Sequence, residues 1–224
     1  MKAAREENKE FVVLLHGLSR TSRSMRPIKK ALEKNGYSTF NVNYPSRKKP
    51  IEELSEFVLE KINQNFADHP KHTLHFVTHS MGGIILRQIM KLSPFSNLGR
   101  VVMLGPPNQG SEIIDKLGPF KLIPIINGPA SLQLGTSSDG FIQNLGPVHF
   151  DLGVIAGNRS INPFLSFLIP GPDDGKVSVE RTKVEGMNDF LEVPNSHSFM
   201  MGNQRIQKET INFLKNGHFS KKKE

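Results

Sequence analysis

The sequence predicts an α/β domain, an open and mostly parallel sheet of about six strands with helices on both faces. Three observations carry that expectation. Short apolar runs recur along the chain, and helical patterns lie between them. The first run, Phe11-Val12-Val13-Leu14-Leu15, stops abruptly at His16-Gly17, as a strand buried on both faces does. Alternation of this kind implies right-handed crossovers and a sheet covered on both sides.

After Phe11 to Leu15, a helix is expected from Met25 to Lys34, with Pro27 near its start and Asn35-Gly36 as a stop that supplies a left-handed cap. A strand fits Ser38 to Tyr44. Pro50 then precedes a helix from Ile51 to Phe66, whose Leu54, Phe57, Val58, Ile62 and Phe66 form one stripe. Thr73 to Thr78 reads as a strand that runs into a helix from Ser80 to Leu92, and Val101 to Leu104 as the next strand. Asn108 to Phe150 breaks the rhythm. It holds 6 Gly and 4 Pro among many Ile, Leu and Phe, including Leu122-Ile123-Pro124-Ile125-Ile126, with no sustained period. A structureless loop of that length is uncommon in a compact domain, so short helices and turns over one rim of the sheet are expected. Asp151 to Ala156 and Phe190 to Val193 supply the last strands and Gln204 to Leu214 the last helix. Residues 217–224 read as a basic tail with Lys221-Lys222-Lys223 near its end.

A length of 224 residues fits one domain spanning 1–224, given ~100–200 residues per domain. Hydrophobic residues make up 37%; counting glycine in and tyrosine out brings the apolar share to about 45%, the globular norm. A core of this size needs no disulfide or metal staple. With Cys at 0, thiol nucleophiles, Cys-type zinc sites, iron–sulfur clusters and disulfides are excluded. No run approaches the ~18 apolar residues of a membrane span, and Met1 to Glu10 lacks the apolar stretch of a signal peptide, so a cytoplasmic location is expected. Lys+Arg 29 against Asp+Glu 21 gives a net charge of +8, which favours weak association with an anionic membrane surface. The basic residues are scattered and no aromatics interleave them, so no nucleic-acid partner is expected.

The chemistry begins at Thr73-Leu74-His75-Phe76-Val77-Thr78-His79-Ser80-Met81-Gly82-Gly83, where a strand meets a helix with a serine at the corner. A tight turn of this type lifts the serine hydroxyl above the sheet, and small residues two positions to either side usually permit it. Gly82 meets that requirement; Thr78, being β-branched, departs from it and crowds the turn. The alternative is that Ser80 only caps the helix, a common use of serine. A nucleophilic serine in this setting needs an acid and then a histidine later in the chain. Asp173-Asp174-Gly175 lies in the turn after the penultimate strand, at the carboxyl edge of the sheet where sites assemble, although Asp-Gly is also ordinary turn chemistry. Asp174 is preferred because of Gly175 and Val177 after it, while the spacing alone leaves Asp173 open. His197 follows the last strand and, of 8 histidines, meets both order and position. His16 is read as structural. Backbone amides of Met81, at the helix start, and of Leu18, after His16-Gly17, are offered to an oxyanion from opposite sides. No metal or cofactor is expected.

The segments Phe11 to Leu18, Val77 to Gly83, Gly105-Pro106-Pro107-Asn108-Gln109-Gly110-Ser111, Asp174-Gly175 and Ser196-His197 together resemble the α/β-hydrolase-fold serine hydrolases, in particular their compact bacterial lipase and esterase branch. The match runs in order through nearly the whole chain. The resemblance implies a minimal form of that fold, without two N-terminal strands common in larger members. It implies a nucleophile at Ser80, an acid at Asp174, a base at His197 and oxyanion donors at Leu18 and Met81. The implied reaction is ester cleavage through an acyl-enzyme, of lipase, esterase or lysophospholipase type, on a small ester or lipid. Asn108 to Phe150 stands where the family inserts a cap or lid. Ile161 to Pro170 adds an apolar strip beside the acid, which with the positive charge points to an amphiphilic, anionic ester. Thioester hydrolysis or acyl transfer by the same triad, and a non-catalytic pocket for a small apolar ligand, are the competing readings.

Overall fold

The structure is a computed structural model that describes residues 10–67, 71–117 and 127–220. Six strands form one sheet: β1 (Glu10–Leu15), β2 (Ser38–Val42), β3 (Thr73–His79), β4 (Leu98–Leu104), β5 (Leu152–Gly157) and β6 (Asp189–Val193). Their order is β2-β1-β3-β4-β5-β6 and every pairing is parallel. The long helices are α1 (Arg26–Lys34), α2 (Ile51–Phe66), α3 (Met81–Leu92) and α4 (Gln204–Asn216). β4 starts before Val101 and β2 ends before Tyr44; elsewhere the expected strands and the observed ones differ by a residue or so.

Alternate residues of each strand face opposite layers. Val13 and Leu15 of β1, Phe76 of β3 and Met103 of β4 join Leu54 and Val58 of α2 and Ile84 and Ile85 of α3 in one buried layer. Val12, Leu14, Val77, Val102 and Leu104 join Ile28 and Leu32 of α1 and Phe213 and Leu214 of α4 in the other. Burial on both sides is why β1 reads as a continuous apolar run rather than an alternation.

The strand order also decides where a site forms. β2 lies to one side of β1 and β3 to the other, so the loops leaving β1 and β3 diverge and open a crevice at their carboxyl ends. Leu15 and Thr78 pair across this switch point, so the loop after His16 and the turn at Ser80 emerge side by side.

Between Asn108 and Phe150 the described chain forms a short helix at Glu112–Leu117 and 3-10 turns at Pro129–Leu134 and Gln143–Leu145, as the composition requires. The run Leu122 to Ile126 lies outside the described residues, as do Lys221 to Lys223. Within the expected tail, Phe219 is buried against Phe213 and its N–H donates to Asp189 Oδ2 at 2.7 Å. Apolar burial of one aromatic outweighs the polar character of its neighbours. Among the described residues no helix is long and apolar enough to cross a membrane.

The 108–150 segment is fastened to α3 by a buried cation. Arg87 donates to Asn108 O at 2.8 Å, to Asn108 Oδ1 at 3.2 Å and to Gly146 O at 2.6 Å. No carboxylate pairs with it among the described residues, and burial brings its pKa down to about 10. Arg87→Met keeps the bulk but deletes these donors. It is expected to cost about 3 kcal/mol, read as a lower urea midpoint at unchanged slope.

Candidate active site

Ser80 joins β3 to α3 at φ +54° and ψ −128°. Backbone strain of this kind costs a non-glycine residue about 1–3 kcal/mol and persists only where the surroundings enforce it. Here the Ser80 N–H donates to Leu104 O and the Gly83 N–H to Ser80 O, both at 2.9 Å. The hydroxyl makes no capping bond to α3; it lies 2.9 Å from His197 Nε2 instead. Helix capping is therefore not what the side chain does.

The turn is tight because α3 starts hard against β1: a Cβ on Gly82 would lie 2.6 Å from Leu15 O. Thr78 fits without a glycine in its own place. It is fully buried, and a Cβ on Gly83 would meet its Oγ1 at 3.2 Å. The room that the motif expects at residue 78 is supplied from across the turn.

His197 opens a 3-10 turn after β6, with Nδ1 2.6 Å from Asp174 Oδ2. A carboxylate only accepts, so Nδ1 carries the proton and Nε2 accepts from the Ser80 hydroxyl. The other Asp174 oxygen accepts from Lys176 N–H at 3.0 Å and Val177 N–H at 2.9 Å, and the Asp174 carbonyl accepts from His197 N–H at 2.9 Å. Asp173 turns elsewhere, accepting from Gly175 N–H at 2.7 Å and from the Ser166 hydroxyl. Of the two aspartates that spacing leaves open, Asp174 is the one beside the imidazole. The contact passes close over Gly105, where a Cβ would lie 3.0 Å from Asp174 Oδ2 and 3.2 Å from His197 Nδ1.

Leu18 borders the cavity beside Ser80, and Met81 is the first residue of α3, where amides have no acceptor within the helix. Ser19, next to Leu18, has φ +55°; it and Ser80 are the non-glycine residues with positive φ among the described residues. His16 braces the loop from below. Its ring stacks on Tyr44 at 3.9 Å, its Nδ1 is 2.9 Å from Gly17 O, and the Tyr44 hydroxyl donates to His16 O. Burial holds its pKa below the usual imidazole value.

His79 has no signal in the sequence beyond its place before Ser80, yet it touches the site. Its Nε2 lies 3.0 Å from His197 O, and since a carbonyl only accepts, Nε2 carries the proton. The two rings are 4.7 Å apart. Burial, and then the nearness of His197, push the His79 pKa well below the usual value, so it stays a neutral brace for the loop that carries His197.

Above Ser80 opens a cavity of about 210 Å³. Its apolar walls include Leu18, Pro107, Ile114, Leu134, Leu165 and Val177, so both the 108–150 segment and the strip after Ile161 contribute. Among the described residues no group of His, Asp and Glu is placed to hold a metal. A hydroxyl bonded to an imidazole that a carboxylate orients, beneath an apolar cavity, is equipped for acyl transfer.

Residues 5–129 match the family described as "Putative serine esterase (DUF676)". No curated protein matches the chain by sequence. Among solved structures, lipase BlEst2 from Bacillus licheniformis in mature form is similar over 93% of this chain and 93% of that one, at 20% identity and a TM-score of 0.68. Lipase B from Aspergillus fumigatus is similar over 94% of this chain and 54% of that one, at 14% identity and a TM-score of 0.71. Phospholipase PlaB from Legionella pneumophila is similar over 78% of this chain and 46% of that one, at 20% identity and a TM-score of 0.63. The chain thus spans about half the length of the last two. These likenesses show the fold, the minimal α/β-hydrolase sheet that the sequence motifs imply.

The buried imidazoles give a pH signature. In the unfolded chain they take up protons near ~6.5, whereas the folded rings of His16, His75 and His79 have lowered pKa values, burial being the first cause in each. The unfolded state therefore binds more protons as the medium acidifies, and stability falls between about pH 7 and pH 5. His79→Gln, which keeps a donor for His197 O, is expected to flatten that slope; urea unfolding at several pH values in this range checks it.

Proposed function

The chain belongs to the DUF676 serine esterase family, and on that premise we propose that it hydrolyses carboxylic esters by acyl transfer through Ser80, His197 and Asp174. The observation that carries the reading is the 2.9 Å contact between Ser80 Oγ and His197 Nε2, behind which Asp174 holds Nδ1 at 2.6 Å.

Ser80 Oγ attacks the ester carbonyl while its proton passes to His197 Nε2. Asp174 keeps the proton on Nδ1 and stabilises the imidazolium that forms. The carbonyl oxygen becomes negative within reach of the Met81 and Leu18 amides, whose dipoles need no reorganisation to receive it. As the tetrahedral species collapses, His197 returns the proton to the departing alcohol. Water repeats the sequence on the acyl-enzyme, releases the acid and restores Ser80. The apolar walls receive the acyl portion.

The 108–150 segment serves as a cap within a single domain, lending Ile114 and Leu134 to the walls and excluding water from the acyl-enzyme. The net charge of +8 and the exposed Phe164 and Phe167, on the short helix that carries Leu165, support weak association with anionic lipid surfaces. Co-sedimentation with phosphatidylserine vesicles is expected to weaken as salt rises and on Phe167→Ser; binding indifferent to both contradicts it.

Ser80→Ala and Asp174→Asn are each expected to lower kcat on 4-nitrophenyl esters by about 10⁴-fold or more with the fold intact by circular dichroism. Ser80→Ala also abolishes labelling by a fluorophosphonate. Turnover or labelling retained by Ser80→Ala removes the proposal.

A further inference from the structure

Two cationic side chains line the cavity above Ser80 and have no part in the reaction just described. Arg20 leaves the loop after β1, two residues past Leu18, and its Nη2 donates to Ser198 Oγ at 2.9 Å. Lys176 leaves the turn two residues past Asp174. Both are solvent-exposed. Among the described residues neither forms an ion pair, and the carboxylates of the surrounding segments are engaged elsewhere. Glu112 pairs with Arg181 at 3.0 Å, Asp173 accepts from Ser166 and Gly175, and Asp174 holds the imidazole. Protein crowding around Lys176, and then the charge of Arg20, lower the Lys176 pKa; Asp174 offsets them in part. Like charges without an ion pair of their own at the wall of an apolar pocket make a field that an anion relieves.

Their position says which portion of an ester the anion belongs to. Arg20 is bonded to the neighbour of His197, and Lys176 stands on the turn of Asp174, so both cations lie on the imidazole side of Ser80. His197 has to reach the leaving oxygen in order to protonate it, so the alcohol occupies that side. Ile114 and Leu134, on the 108–150 segment, are left for the acyl chain. We propose that Arg20 and Lys176 select esters whose alcohol portion carries a phosphate or carboxylate, joined to an apolar acid. The inference rests on the esterase reading and adds to it the class of substrate.

Two aryl esters test it in the full chain: 4-nitrophenyl butanoate, which is neutral, and 4-butanoyloxy-3-nitrobenzoate, which bears a carboxylate on the alcohol. Each kcat/KM is normalised to the rate of that ester with hydroxide. The anionic ester is expected to be favoured about tenfold or more at low salt, a preference that shrinks as salt rises. Lys176→Gln and Arg20→Gln each lower the ratio, and Lys176→Glu takes it below one. Glycerol 3-phosphate esters of butanoic and hexadecanoic acid then separate the sources. Cleavage of both in preference to the uncharged monoacylglycerols supports a soluble phosphate ester, and cleavage of the long one alone supports a lysolipid. A normalised ratio near one in the unaltered protein, or one that the Lys176 variants leave in place, overturns the proposal and spares the esterase reading. Failure to cleave either aryl ester overturns both.

Discussion

The angle at which α3 departs from β3 is the constraint on which the site rests. To make it, Ser80 accepts a left-handed backbone that a side chain disfavours, and α3 closes on the end of β1 until only hydrogen fits at Gly82. The strain is carried by structure that has other reasons to exist. Leu104 O, which receives the Ser80 N–H, belongs to a strand buried in both layers, and Ile84 and Ile85 anchor α3 in the core one turn on. A serine held this way has its hydroxyl clear of the helix and of its own backbone. The same corner sets the Met81 amide at the helix start, so the proposed nucleophile and the proposed oxyanion donor are fixed by one bend.

Around that corner the loops are braced by buried polar rings. His16 lies beneath the loop of Leu18, stacked on Tyr44, and His79 lies beneath the loop of His197. Each spends one ring nitrogen on a backbone oxygen, and burial keeps both neutral. A neutral ring suits this place, because a second cation 4.7 Å from His197 would oppose the imidazolium that the proposed reaction requires.

The sheet was legible because parallel strands covered on both sides must be apolar along their length, and Phe11 to Leu15 could hardly read otherwise. Chain order alone set Ser80, Asp174 and His197 after β3, β5 and β6, whose carboxyl ends a parallel sheet gathers along one edge. What composition and spacing did not carry is pairwise and three-dimensional. Thr78 looked like an obstruction because the space that admits it belongs to Gly83, on the other side of the turn. The choice between Asp173 and Asp174 is made by which carboxylate the Lys176 and Val177 amides hold toward His197. His79 and Arg87 are polar residues in apolar surroundings whose partners lie far along the chain, at His197 O and at Asn108 and Gly146. Phe219 has its burial partner Phe213 in the preceding helix, but the basic residues after it mask that contact.

One guanidinium gripping the chain near residue 108 and again near residue 146 turns the stretch between into a clasped bight, with its two feet fixed close together on α3. Lengthening or rewriting such a bight adds little closure entropy, since that cost grows only logarithmically with length. Evolution, or an engineer, is thereby handed an interchangeable wall: Ile114 and Leu134 can be traded for other side chains, and the chamber recut for a different occupant, while the floor bearing serine, imidazole and carboxylate stays as it is.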